Sequence, residues 1–140
     1  RMKRPVVVTD RGVVKAGLID AALSSLKAEG LDFHLFDGIE ADPPARVVRA
    51  SVEVARAHKA DGVIGFGGGS SMDTAKIIAV LLNSSQTLEE IYGTGNIKGW
   101  RAPLALVPTT AGTGSEVTDI AVVTTDDDQK MGVLGDPMFA

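Results

Sequence analysis

The chain has 140 residues, of which 44% are apolar and 23% charged, with a formal net charge of −4. That length and balance fit one globular domain with a single core and argue against disorder, while the acidic excess gives no electrostatic reason to expect a nucleic-acid partner. With no cysteine, disulfides, thiolate metal ligands and a cysteine nucleophile are all excluded.

Arg1, Met2, Lys3 and Arg4 form a basic start that runs into only three valines, too short an apolar stretch for a signal peptide or a spanning helix. A cytoplasmic protein with no membrane partner is the expectation. Because the chain opens directly on a strand and closes on Asp136-Pro137-Met138-Phe139-Ala140 without a polar tail, it reads as a domain cut at both ends.

Val6 to Thr9 is a continuous apolar run ending at Asp10, the pattern of a strand buried on both faces of a parallel sheet. A turn is expected at Arg11-Gly12. From Val14 to Glu29, Leu18, Ala22 and Leu26, with Ile19 and Leu23 beside them, recur at helical spacing, and Gly30 marks the stop. Leu31 to Phe36 reads as a second strand. Pro43-Pro44 then opens a second helix, whose apolar face runs through Val47, Val48, Ser51, Val54, Ala55 and His58.

A third strand is expected over Gly62 to Phe66, followed by a glycine-rich turn and a helix from Met72 to Leu82. Beyond it come a helical turn at Leu88 to Tyr92, a loop from Gly93 to Gly99, and a fourth buried strand over Leu104 to Val107. Ile120 to Thr125 and Met131 to Leu134 flank Asp126, Asp127 and Asp128 as a β-hairpin. Strands alternating with helices at this spacing predict an α/β fold: a Rossmann-like parallel sheet with helices on both faces, plus the terminal hairpin. Residues 1–140 form one domain in this reading.

Two segments carry the chemistry. In Gly65-Phe66-Gly67-Gly68-Gly69-Ser70-Ser71-Met72-Asp73-Thr74-Ala75-Lys76, a glycine run between strand and helix lets the backbone approach a ligand, while the first helical amides and the dipole favour an anion such as a diphosphate. Ser70 or Ser71 can cap the helix and donate to a phosphate oxygen. A tight turn with an N-cap and no ligand is the alternative, although three glycines exceed what such a turn needs. Neither GxGxxG nor GxxxxGK[ST] is satisfied, so nucleoside triphosphate hydrolysis is not supported.

The second segment, Pro108-Thr109-Thr110-Ala111-Gly112-Thr113-Gly114-Ser115-Glu116-Val117-Thr118, follows the fourth strand and offers five hydroxyls on the ligand edge of the sheet. It reads equally as a plain polar connection. Asp10, at the carboxyl end of the first strand, can accept hydrogen bonds from the two adenosine-ribose hydroxyls and would repel a 2′-phosphate, favouring NAD over NADP. A turn-forming role is its alternative. His34 and His58 are far apart in sequence and make no metal site, and the three aspartates read as a solvated hairpin tip.

With these segments in view, the chain resembles the iron-containing alcohol dehydrogenase family over Val6 to about Pro137, through GGGSSMDTAK and PTTAGTGSEVT. The resemblance implies an N-terminal α/β domain binding NAD(P) and a helical C-terminal domain, absent here, whose one Asp and three His hold a divalent metal, usually iron. It further implies that Asp10 binds the adenosine ribose, and that Gly67, Gly68, Gly69 and Ser70 bind the pyrophosphate. Asp73 lies at the floor of the cleft, Thr109, Thr110, Thr113 and Thr118 line the adenine and nicotinamide-ribose side, and Lys130 matches a lysine near the cofactor.

Two departures stand out: Asp42-Pro43-Pro44 replaces an asparagine-flanked proline motif, and the hairpin before Lys130 is one residue shorter than in relatives. By the same resemblance, the parent protein is a homodimer that transfers hydride between a small alcohol or aldehyde and the nicotinamide, and these residues alone have no activity. A stand-alone nucleotide-binding module without catalysis and a lyase of the dehydroquinate synthase type are the rival readings.

Overall fold

The computed structural model describes residues 1–140. In chain order the elements are β1 (Pro5–Val8), α1 (Arg11–Lys15), α2 (Asp20–Ala28), β2 (His34–Phe36), α3 (Ala45–Ala57), β3 (Gly62–Gly67) and α4 (Gly69–Leu81). There follow β4 (Gly93–Thr94), β5 (Leu104–Pro108), β6 (Ile120–Thr124) and β7 (Lys130–Leu134), with single 3-10 turns at Glu89–Ile91, Ser115–Val117 and Asp136–Met138. Four strands form a parallel sheet in the order β2-β1-β3-β5, and three form a second sheet in the order β4-β7-β6.

Side chains on a strand alternate between faces, and β1 uses both. Val6 and Val8, with Val63 of β3, pack into the larger core against Val48 and Val52 of α3 and Ala75 and Ile78 of α4. Val7, with Ile64 and Phe66 of β3, packs on the opposite face against Val13, Ile19, Leu23 and Leu26 from α1 and α2. Helices therefore cover the parallel sheet on both sides, the Rossmann-like α/β arrangement that the alternation of elements predicts.

Several boundaries differ from the sequence reading. The helix expected from Val14 to Glu29 is two helices, because Asp10 caps a helix that already begins at Arg11 and Gly17 ends it at φ +73°. There the Gly17 amide donates to the Val14 carbonyl at 3.0 Å and the Leu18 amide to Val13 at 3.2 Å, closing the last turn around a left-handed residue. Leu18 is consequently exposed, while Ile19 takes the buried position. Arg11-Gly12 is the first helical turn rather than a free turn.

The second strand is only His34–Phe36, and α4 starts at Gly69, three residues before Met72. β5 forms where expected, but as an edge strand. Ala105 and Val107 share the face of Ile64 and Phe66 yet are exposed, and only Leu104 and Leu106 reach the core. Within the loop expected over Gly93 to Gly99, Gly93–Thr94 pairs in parallel with β7. The hairpin itself forms in the register Ile120↔Leu134 to Thr124↔Lys130, and the Thr124 amide donates to the Pro43 carbonyl at 3.0 Å, fastening it to the loop before α3.

Candidate functional site

From β1 the chain moves to β2 on one side of the sheet, then crosses to β3 on the other. The loops after β1 and β3 therefore diverge, leaving the crevice in which open α/β sheets hold ligands. An open cleft of about 540 Å³ lies there, walled by residues 10–12, 37–41 and 68–71. Its volume falls in the range of small-molecule sites.

The glycine turn forms the cleft's floor, and its glycines serve different ends. A Cβ on Gly65 would stand 2.6 Å from the Ala75 Cβ and 2.8 Å from a Leu106 methyl, so this glycine lets α4 lie close on the sheet. Gly67 has φ +149°, and a Cβ there would sit 2.9 Å from the Ser71 Oγ. Gly68 is the N-cap of α4 without a side-chain cap, so neither Ser70 nor Ser71 performs the capping role expected of them; both lie inside the first turn.

Because α4 begins at Gly69, the amides of Gly69, Ser70 and Ser71 have no carbonyl one turn earlier in the helix to receive them; the first such bond runs from Met72 to the Gly68 carbonyl at 3.1 Å. Ser71 is 1% exposed and its hydroxyl has no partner, although it borders the cleft. Buried hydroxyls rarely go unpaired. Amides, dipole and hydroxyl together fit an anion with several acceptor oxygens.

Asp10 unites both of its sequence readings. Its Oδ1 accepts from the Val13 amide at 2.9 Å, capping α1, while Oδ2 lies 3.7 Å from the position a Gly67 Cβ would take. One oxygen serves the fold and the other faces the glycine turn.

The hydroxyl-rich loop lies beside the turn rather than in the main cleft. The Thr109 amide donates to the Gly67 carbonyl at 2.9 Å. Thr110 Oγ1 and Thr113 Cγ2 stand 3.4 and 3.5 Å from the Cβ positions of Gly68 and Gly69 respectively. Thr118 sits behind α4, where its carbonyl and hydroxyl accept from the Lys76 Nζ at 2.9 and 3.2 Å.

Lys76 is the residue that sequence reading passes over. It is 0% exposed, and its third bond goes to the Ile120 carbonyl at 2.9 Å, so one ammonium joins α4 to the end of the loop and the start of β6. Burial pushes its pKa down, against the nearby charges of Asp73, Asp119 and Glu116. Asp73, one turn earlier on α4, accepts from the Val122 amide at 3.1 Å through Oδ2 and leaves Oδ1 buried without a partner. Burial pushes its carboxyl up, opposed by that amide and by Lys76. Nothing in the sequence separates Lys76 from a lysine that reaches solvent, since Ser70, Ser71, Asp73 and Thr74 make α4 a mixed helix.

Lys130 lies apart from the glycine turn, at the start of β7, with its Nζ 2.6 Å from Asp42. Asp126, Asp127 and Asp128 are exposed at the hairpin tip, as expected, and there Asp126 pairs at 2.9 Å with Arg49, which also contacts Glu89. His34 and His58, distant in sequence, have ring centroids 5.6 Å apart, and His58 Nε2 contacts the Asp32 carbonyl at 2.7 Å. No group of three or more His, Cys, Asp or Glu side chains is placed to hold a metal ion.

Comparison with known proteins extends this picture. The family described as iron-containing alcohol dehydrogenase matches residues 1–140. The choline dehydrogenase of Bacillus subtilis is 38% identical over 99% of the chain, and the 4-hydroxybutyrate dehydrogenase of Cupriavidus necator is 40% identical over 94%. In each case the chain spans 35% of the relative's length. The solved alcohol dehydrogenase from Oenococcus oeni superposes with a TM-score of 0.92 at 33% identity, covering 99% of this chain and 37% of that one.

Proposed function

Since the chain belongs to the iron-containing alcohol dehydrogenase family, we propose that it is the NAD-binding part of a metal-dependent alcohol dehydrogenase that interconverts a small alcohol and its aldehyde or ketone. The observation that carries this reading is the cleft between the ends of β1 and β3, where helix amides and the unpartnered Ser71 hydroxyl meet at a glycine turn. With both groups bound, nicotinamide C4 would supply the hydride acceptor and a divalent metal the Lewis acidity at the alcohol oxygen, while the amides of Gly69, Ser70 and Ser71 and the Asp10 carboxylate would hold the cofactor.

The chain's own residues bind and orient. The amides of Gly69, Ser70 and Ser71 hold the diphosphate at the positive end of the α4 dipole. The free oxygen of Asp10 takes a hydrogen bond from an adenosine-ribose hydroxyl and disfavours a 2′-phosphate. Thr110 and Thr113 close over Gly68 and Gly69 and fix the far side of the turn. Asp73, Thr118 and Lys130 take part less directly, Asp73 by holding the Val122 amide of β6, Thr118 by tying the loop to Lys76, and Lys130 from the hairpin's edge. In this reading the divalent metal, iron by family membership, belongs to the parent protein as a whole. The same reading makes the parent protein a cytoplasmic homodimer.

The test uses the full-length protein and separates cofactor from metal. NADH should bind saturably, seen as enhanced nicotinamide fluorescence, and more tightly than NADPH. Chelation should abolish alcohol oxidation while leaving NADH binding in place. Absence of saturable NADH binding overturns the reading.

A further inference from the structure

Resting on that dinucleotide reading, we infer that Asp37, at the carboxyl end of β2, is a second specificity residue that acts with Asp10 to select NAD, and that Arg11 is a latent partner for a 2′-phosphate. β1 and β2 are laced together beyond their ends. The Thr9 amide donates to the Phe36 carbonyl at 2.9 Å, the Ile39 amide to Thr9 at 3.3 Å, and Asp10 bridges to Gly38. Asp10 and Asp37 are thereby held on adjacent strand ends and border the same cleft.

A second carboxylate can share the work of Asp10. One acceptor site of Asp10 Oδ1 is taken by the Val13 amide, and the ribose presents two adjacent hydroxyls that a neighbouring carboxylate on the same cleft can help to hold. Asp37 fits that role because it is free. Of the carboxylates around it, Glu40 is paired with Arg46 at 3.0 Å and Asp42 with Lys130 at 2.6 Å, whereas Asp37 has no ion-pair partner. The buried, unpartnered Ser71 hydroxyl on the opposite wall independently marks the cleft as built for a ligand.

A 2′-phosphate at this end of the cleft would meet two carboxylates, each contributing roughly tenfold discrimination by like-charge repulsion across a few ångströms. Arg11 borders the same space, exposed and without a carboxylate partner. Its guanidinium can form a forked pair with a phosphate once the two negative charges are removed.

The test measures NADH and NADPH dissociation constants of the full-length protein by nicotinamide fluorescence. Asp37→Ser and Asp37→Asn should each shift the NADPH-to-NADH preference about tenfold toward NADPH. Combining Asp37→Ser with Asp10→Ser should shift it about a hundredfold, and adding Arg11→Gln should then weaken NADPH binding about tenfold more than NADH binding, the share owed to the guanidinium. Should both Asp37 variants retain NADH binding with a preference within about twofold of wild type, the inference is overturned and the dinucleotide reading stands. Failure of the wild type to bind NADH overturns both. If Asp37→Ser does not fold, Asp37→Asn, which keeps the side-chain shape, decides.

Discussion

Lys76 and Thr118 are joined twice, the buried ammonium donating to the threonine's carbonyl at 2.9 Å and to its hydroxyl at 3.2 Å. A third bond to the Ile120 carbonyl makes Lys76 the tie between the glycine-turn helix and the hydroxyl-rich loop.

Lys76→Met fills the space but leaves two carbonyl oxygens without their donor. Stability should fall by about 1–3 kcal/mol, the cost of orphaned buried acceptors, as measured by urea unfolding. NADH binding should weaken as well, because the loop over Gly68 and Gly69 loses its anchor. Unchanged stability and unchanged NADH affinity would together refute the tie.

Gly65→Ala and Gly68→Ala should separate folding from binding. The first drives a Cβ to 2.6 Å from Ala75 and should lower stability by about 1–3 kcal/mol. The second meets Thr110 Oγ1 at 3.4 Å, an ordinary contact, so the melting temperature should hardly move while NADH affinity drops at the crowded turn. Calorimetry and fluorescence titration on the same samples check both.

Asp73 gives the acid limb of stability a definite sign. Burial raises its folded-state pKa above the ordinary 3.8, so the folded protein takes up this proton before the unfolded chain does. Its contribution is therefore greatest below 3.8 and is lost as pH rises through the folded value. Between pH 7 and 4, the melting temperature of wild type relative to Asp73→Asn should climb as pH falls. A flat or opposite difference across that range contradicts the assignment.

Asp10→Ser should keep the α1 cap while removing the charge. A serine oxygen can still accept from the Val13 amide, so stability should change by less than about 1 kcal/mol, and NADPH binding should improve relative to NADH. Asp10→Val loses both functions and should cost about 1 kcal/mol more. Equal melting temperatures for the two variants would show that the cap contributes little.

Periodicity made the order of elements legible. Val6 to Val8 and Gly62 to Phe66 could only be buried strands, and the hairpin's two runs flank an obvious turn. What escaped was set by contacts rather than by pattern. Gly17 lies within a run whose apolar spacing continues past it, so the break appears only once Leu18 and Val13 close the turn.

The early start of α4 was hidden because glycines rarely announce a helix, and β4 is two residues long. At the site, residue types identified the loops, but orientation did not follow from them. Thr118 faces Lys76, Ser71 rather than Ser70 has the unpartnered hydroxyl, and Asp10 divides its oxygens between a cap and the cleft. No one-dimensional signal distinguishes a lysine that snorkels to solvent from one sealed behind a loop.

The strand order β2-β1-β3-β5 has a consequence for biosynthesis. The apolar Pro5–Val8 segment is made before either of its neighbours, and both edges stay open until residues 34–36 and then 62–67 have been synthesised. During that interval it is an unpaired, uncharged β-former of the kind that associates with other chains. Slowing translation between residues 36 and 62 should therefore raise the yield lost to aggregation, and the basic residues Lys3 and Arg4 stand where charge best opposes it.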